Sequence, residues 1–337
     1  MQKRILTFYS IILSALLISS CHPYIDEILE TIDRERKSMP EEVVITKPTL
    51  FPEGVEYDTH GRRFLVSSLT RGTIGAIDDQ GNYEPFIEDS DLGATIGIEV
   101  DEARQRLLVC VSDPSTAGVA ALGSYDLRTG ERQFFTDLIA VANDQAPHFA
   151  NDVAVDSQGN AYVTDSFSPI IYKVDPQGNG SIFLQDSTFQ PSPGAFGLNG
   201  IVFNPNEFLL VAFSETATLY KVPMDNPAAF SAVSTEAGTI TSPDGLYLAS
   251  GSNVLMVVNN DGGGDQGNVV ALGSVDRWKS GHMIDQFATG SVFPTTIAQR
   301  GKNFYVLYAY LNELFSGSPS RDTFEIVRAD FWEGEKE

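Results

Sequence analysis

The chain has 337 residues, of which 42% are hydrophobic and 20% charged, and its formal net charge is −23. That composition excludes a largely disordered chain and suffices for a sizeable core. So acidic a surface repels phosphate backbones and excludes nucleic acid as a natural partner.

Lys3 and Arg4 precede an apolar run from Ile5 to Ile18, followed by Ser19, Ser20 and Cys21. The run is short for a membrane span and fits a secretory signal over residues 1–20. Ile18-Ser19-Ser20-Cys21 resembles the lipobox of bacterial lipoproteins. That resemblance implies cleavage before Cys21, lipidation of Cys21, and an extracytoplasmic protein that meets a membrane only through its anchor. The alternative is an ordinary signal and a soluble secreted protein. Residues 21–40 are expected to be a tether, with Ile25, Ile28, Leu29 and Ile32 on one face of a short helix that Pro40 ends. Cys110 lies in the apolar segment LLVCVSD and is expected to be a buried, inert thiol.

From residue 41 to the end, the pattern is one of short strands and turns. Six units open with PEGVEYD, TIGIEVD, ANDVAVD, LNGIVFN, PDGLYLA and PTTIAQR. Their anchors Gly54, Gly97, Asp152, Gly200, Gly245 and Thr296 are 43, 55, 48, 45 and 51 residues apart. Each unit continues into a second apolar strand, such as FLVSSL or AYVTDSF, and most into a third and a fourth. Repeats of this length with four antiparallel strands predict an all-β, six-bladed β-propeller over residues 41–337. The last unit lacks a clear fourth strand. The N-terminal EEVVITK is a spare one that would close the ring and remove an exposed edge.

In a propeller, equivalent positions of the innermost strands meet around one axis. The residues before the anchors are Glu53, Ile96, Asn151, Asn199, Asp244 and Thr295. Glu53, Asn151, Asn199 and Asp244 offer carboxylate and amide oxygens, the donors that a hard cation takes. Imidazole and thiolate are missing from all six slots, which disfavours zinc. The expected cofactor is one Ca2+, with Mg2+ or another divalent ion second. Asp152 is expected to cap the turn or support Asn151.

PEGVEYD, ANDVAVDSQGNAYVTD, LNGIVFNPN and SPDGLYLA resemble the motifs of the SMP-30/gluconolactonase family, calcium-dependent six-bladed propellers related to paraoxonases and diisopropylfluorophosphatase. The resemblance spans roughly residues 45–330. It implies metal ligation by Glu53, Asn151, Asn199 and Asp244, with Asp244 also the catalytic base. Two departures matter. Ile96 stands where paraoxonases carry a histidine. Phe149, beside His148, stands where gluconolactonases commonly carry a sugar-binding arginine, which favours a more apolar lactone or ester. His148 and Phe149 are candidates for substrate binding. So are Asp165 and Asn259, which end the second strands of blades three and five and are expected at the same mouth. The loop from Asp186 to Gly197 has the composition of a mobile lid.

The function expected is that of a monomeric, exported, Ca2+-dependent hydrolase of a small-molecule lactone or ester. The alternatives are a non-catalytic surface binding protein that keeps a structural calcium, and a phosphotriesterase-like hydrolase. Fold alone does not choose among them.

Overall fold

The computed structural model describes residues 39–113, 118–249, 253–317 and 319–331. The signal segment, Cys21 and the tether helix expected from the sequence lie outside the described residues. From Glu42 onward the chain folds into six four-stranded antiparallel sheets. These are the six expected blades, spanning residues 55–88, 94–137, 150–185, 198–232, 243–288 and 294–329. Each innermost strand packs against those of its two neighbours, and the circle closes where Val55–Asp58 meets Pro294–Arg300.

Turn chemistry sets the blade edges. In blade three, Ala150–Val155 and Ala161–Asp165 are joined at Asp156–Asn160. Asp156 Oδ1 accepts the backbone N–H groups of Gln158 at 2.9 Å and Asn160 at 2.8 Å, and Gly159 takes a φ of +89° that other residues resist. The same Asp-x-Gln-Gly-Asn turn recurs at 78–82 and 175–179.

Burial grades outward along each blade. Second strands such as Arg106–Ser112 and Ala161–Asp165 are buried throughout, while the outermost strand His282–Ala288 is largely exposed. The core consists of apolar wedges between adjacent blades. In one of them Leu108 and Cys110 of blade two pack on Val153, Val163 and Tyr172 of blade three. Cys110 is free and buried, and burial pushes its thiol well above its ordinary pKa, as the inert reading requires.

The ring closes as expected from the spare strand. Glu42–Thr46 pairs antiparallel with Thr323–Ala329, with Val44 opposite Glu325. Strand alternation turns Val43 and Ile45 inward, leaving them 1% and 0% exposed. Burying each contributes about 1.5–3 kcal/mol, so closure carries its own hydrophobic stabilisation.

Candidate functional site

The innermost strands do not run straight through the ring position. In five blades their pairing with the second strand breaks, between Thr95 and Ile98, Ala150 and Val153, Leu198 and Ile201, Pro243 and Leu246, and Pro294 and Ile297. Two residues in each gap drop out of the ladder, a β-bulge that re-aims their side chains. These pairs are Ile96–Gly97, Asn151–Asp152, Asn199–Gly200, Asp244–Gly245 and Thr295–Thr296. In blade one, Glu53 and Gly54 directly precede the strand Val55–Asp58.

In three of these pairs the second residue is glycine (Gly97, Gly200 and Gly245), which lets one blade press against the next. A Cβ added to Gly97 would lie 2.6 Å from the Asn151 carbonyl oxygen, and one added to Gly200 would lie 2.3 Å from that of Asp244. In blade three Asp152 takes the glycine's place. Its carboxylate accepts the N–H of Ile201 in blade four at 3.0 Å and that of Val153 at 2.9 Å. Asp152 is therefore a strut between blades, not the turn cap or the support of Asn151 expected of it. Burial pushes its pKa up to about 7, against those two hydrogen bonds. Thr295 closes the circle by donating from Oγ1 to the Glu53 carbonyl oxygen at 2.6 Å.

Glu53, Ile96, Asn151, Asn199 and Asp244 line one cavity of about 650 Å³. All five are buried, between 1% and 9% exposed. Asn260 Nδ2 donates to Asp244 Oδ2 at 2.8 Å, and Asn199 Nδ2 donates to Ser214 Oγ at 3.1 Å. Burial, and then the charges of Asp244 and Asp152, push Glu53 well above the ordinary carboxylate range. Burial lifts Asp244 to about 6, against the hydrogen bonds it receives from Asn260 and Asn199.

Glu53 Oε2 and Asn151 Oδ1 are buried and have no hydrogen-bond partner. Each orphaned oxygen costs about 1–3 kcal/mol, more for a charged group. A cation coordinated by these oxygens would remove that cost and offset the repulsion between the two carboxylates. Among the described residues no group of three or more His, Cys, Asp or Glu side chains could hold a metal. A metal at the ring would thus need the amide oxygens of Asn151 and Asn199 as well, a set that fits a hard, oxygen-preferring ion.

Of the four candidate substrate-binding residues, Phe149 lines the cavity and the other three do not. His148 is fully buried, with Nδ1 2.7 Å from Asp165 Oδ2 and Nε2 3.0 Å from Asp144 Oδ1. Asp165 Oδ1 accepts the backbone N–H groups of Phe149, Phe167 and Ser168, and its Oδ2 accepts the Tyr172 hydroxyl. Asn259 Oδ1 accepts from the Thr241 backbone N–H, and its Nδ2 donates to Asn268 Oδ1. The expectation that Asp165 and Asn259 reach the mouth is corrected: they pair with Ala150 and Pro243, just ahead of each bulge, and their side chains turn into the blade, where His148, a candidate for substrate binding, is buried as well. The loop expected to act as a lid contributes Ala195 and Phe196 to the cavity, while Phe189 within it is buried.

Sequence reasoning missed Asn260, Ser214 and the short helix Leu311–Phe315, which brings Leu311, Asn312 and Phe315 to the cavity. Asn260 stood within VNND, one residue past the position that was singled out. The helix lies in an insertion between strands of blade six that carries no repeat signal.

Similar architecture occurs in solved structures. The Mala s 1 allergen of Malassezia sympodialis is 17% identical over 87% of this chain and 97% of that one, with a TM-score of 0.69. The calcium-binding protein regucalcin of Agrobacterium tumefaciens is 14% identical over 86% and 95%, at 0.59. Virginiamycin B lyase of Staphylococcus aureus is 10% identical over 86% and 98%, at 0.54. At these identities the likeness concerns the fold. No curated protein matches the sequence significantly. Residues 51–309 match the SMP-30/Gluconolactonase/LRE-like region, and with its six blades and polar ring the chain belongs to that family.

Proposed function

We infer that the protein is a Ca2+-dependent hydrolase of a lactone or related ester. The observation that carries this reading is the pair of orphaned buried oxygens, Glu53 Oε2 and Asn151 Oδ1, at the wall of a substrate-sized cavity. Glu53, Asn151, Asn199 and Asp244 would hold the ion. When bound, calcium supplies Lewis acidity toward a carbonyl oxygen. Asp244 is the proton acceptor for the attacking water, and Asn260 holds its outer oxygen in place. Asn199 is itself held in place by its hydrogen bond to Ser214. The regucalcin likeness supports calcium over magnesium, because that neighbour is a calcium-binding protein. Export and lipid anchoring at Cys21 complete the proposal and rest on the N-terminal sequence alone.

A panel of lactones, carboxylic esters and phosphotriesters, assayed with calcium and with chelator, tests the activity. Calcium-dependent turnover of a lactone or ester is the expected result. A protein that calcium stabilises but that hydrolyses nothing in the panel would be a binding protein, and turnover of phosphotriesters alone would favour the phosphotriesterase alternative.

A further inference from the structure

Among the described residues only two Phe, Tyr or Trp rings are exposed, Phe196 at 38% and Phe315 at 57%. Both line the cavity that holds the polar ring. Exposed phenyl rings cost free energy in water, so two of them at one mouth call for a ligand. Neither ring is loose. Phe196 stands edge-on to Phe149 at 5.5 Å between ring centroids and packs on Phe167 at 5.3 Å. Phe315 packs edge-on to Phe293 at 6.2 Å. The first group comes from blade three and the loop before blade four. The second comes from blade six and its helix.

The polar groups of the same cavity are nearly all committed. Ser214 Oγ donates to the Pro243 carbonyl and accepts from Asn199. Ser242 Oγ donates to Asn260 Oδ1, and Asn260 Nδ2 to Asp244. Glu215 Oε2 accepts the Ser192 N–H. Asn312 alone, apart from the ring, presents a buried side-chain oxygen without a partner. Its amide is pressed against Gly263, where an added Cβ would lie 2.5 Å from Asn312 Cγ, so its direction is fixed by packing. A polyhydroxylated lactone needs a partner for every hydroxyl it buries, and each one unmet costs about 1–3 kcal/mol. A hydrocarbon needs none.

We propose that the substrate carries an alkyl or aryl group seated between Phe196 and Phe315, with Asn312 reading one polar substituent beside it. This deepens the hydrolase reading and rests on it. Phe196, Phe315 and Asn312 are then specificity-determining residues, and a sugar lactone is a poor substrate.

The test compares five-membered lactones bearing no side chain, a four-carbon chain or an eight-carbon chain with glucono-lactone, at saturating calcium. The kcat/KM should rise about 2- to 4-fold per added methylene. Phe196→Ala and Phe315→Ala should each lower the ratio of eight-carbon to unsubstituted kcat/KM about 10-fold, with the melting temperature as a check on folding. A flat chain-length series, or a preference for glucono-lactone, overturns the proposal and leaves the hydrolase reading intact. Binding of the fluorescent probe N-phenyl-1-naphthylamine, measured in calcium and in chelator, is read independently of turnover. If the protein hydrolyses nothing yet binds the probe, and the double phenylalanine variant does not, the apolar subsite stands and the hydrolase reading falls. No probe binding by the wild-type protein overturns the subsite whatever the turnover.

Discussion

Asn260 Nδ2 lies 2.8 Å from Asp244 Oδ2, and the amide can point no other way. Its own oxygen is taken by the Ser242 hydroxyl at 2.8 Å and the Gly262 N–H at 2.9 Å. The turn after blade five's second strand therefore sets the orientation of a ring carboxylate. Outer partners of this kind typically change metal affinity 10- to 100-fold when removed. Asn260→Ala should weaken calcium binding by about that factor in a calorimetric titration. Unchanged affinity would sink the positioning role.

Calcium should stabilise the folded protein, because an unfolded chain cannot assemble the ring. At about 100 times its dissociation constant the gain is about 2.7 kcal/mol. Glu53→Gln should blunt that gain. In chelator the same variant should melt above the wild-type protein, since it no longer buries a carboxylate oxygen without a partner. A melting temperature indifferent to both calcium and chelator would count against the ring as a cation site.

Asp244→Asn keeps the size of the side chain and loses its charge and basicity. At saturating calcium, hydrolysis should fall about 100-fold or more in kcat. Full kcat in this variant would remove Asp244 from the role of base.

His148 should contribute stability that depends on pH. Burial disfavours the imidazolium, but the hydrogen bonds and charges of Asp165 and Asp144 outweigh it and raise the pKa above its ordinary value. The unfolded pKa is about 6.5, so the contribution is complete below that value and is lost as pH rises through the higher folded one. His148→Gln should cost about 1–3 kcal/mol at pH 5.5, where Asp165 loses the imidazolium and keeps the hydrogen bonds of Phe149, Phe167, Ser168 and Tyr172. Urea melts at pH 5.5 and pH 9, both in saturating calcium, should show the gap narrowing at the higher pH. A gap independent of pH would mean that the imidazole is neutral throughout.

Gly200→Ala tests the contact between blades four and five. The new Cβ would meet the Asp244 carbonyl oxygen at 2.3 Å. Backbone must shift, at about 1–3 kcal/mol. The melting temperature in chelator should drop and calcium affinity should fall with it, because the displaced peptide carries Asp244. An affinity left intact would show that the ring tolerates movement between blades.

The blades were legible because each repeats the same opening, and the polar ring was legible because equivalent positions converge on one axis. Glu53, Asn151, Asn199 and Asp244 needed only that register to be found. His148, Asp165 and Asn259 were misplaced for a local reason. The bulge behind Asn151 and Asp244 cannot be seen in the letters, and it decides which neighbours face the channel and which face the blade interior. Phe315 and Asn312 stayed hidden because a five-residue helix between strands has no periodicity of its own. Asn260 was hidden because its role is a hydrogen bond across a turn, which only coordinates reveal.

Those bulges also separate what the molecule is from what it does. Since the ring side chains stand outside the ladders, exchanging them breaks no backbone hydrogen bond of a strand pair. Ile96 already occupies one slot with no donor atom, and Thr295 spends its hydroxyl on the Glu53 backbone. The frame works like a socket with six replaceable contacts. A lineage carrying it could drift from one chemistry to another, or fall silent as an enzyme, without ever having to refold.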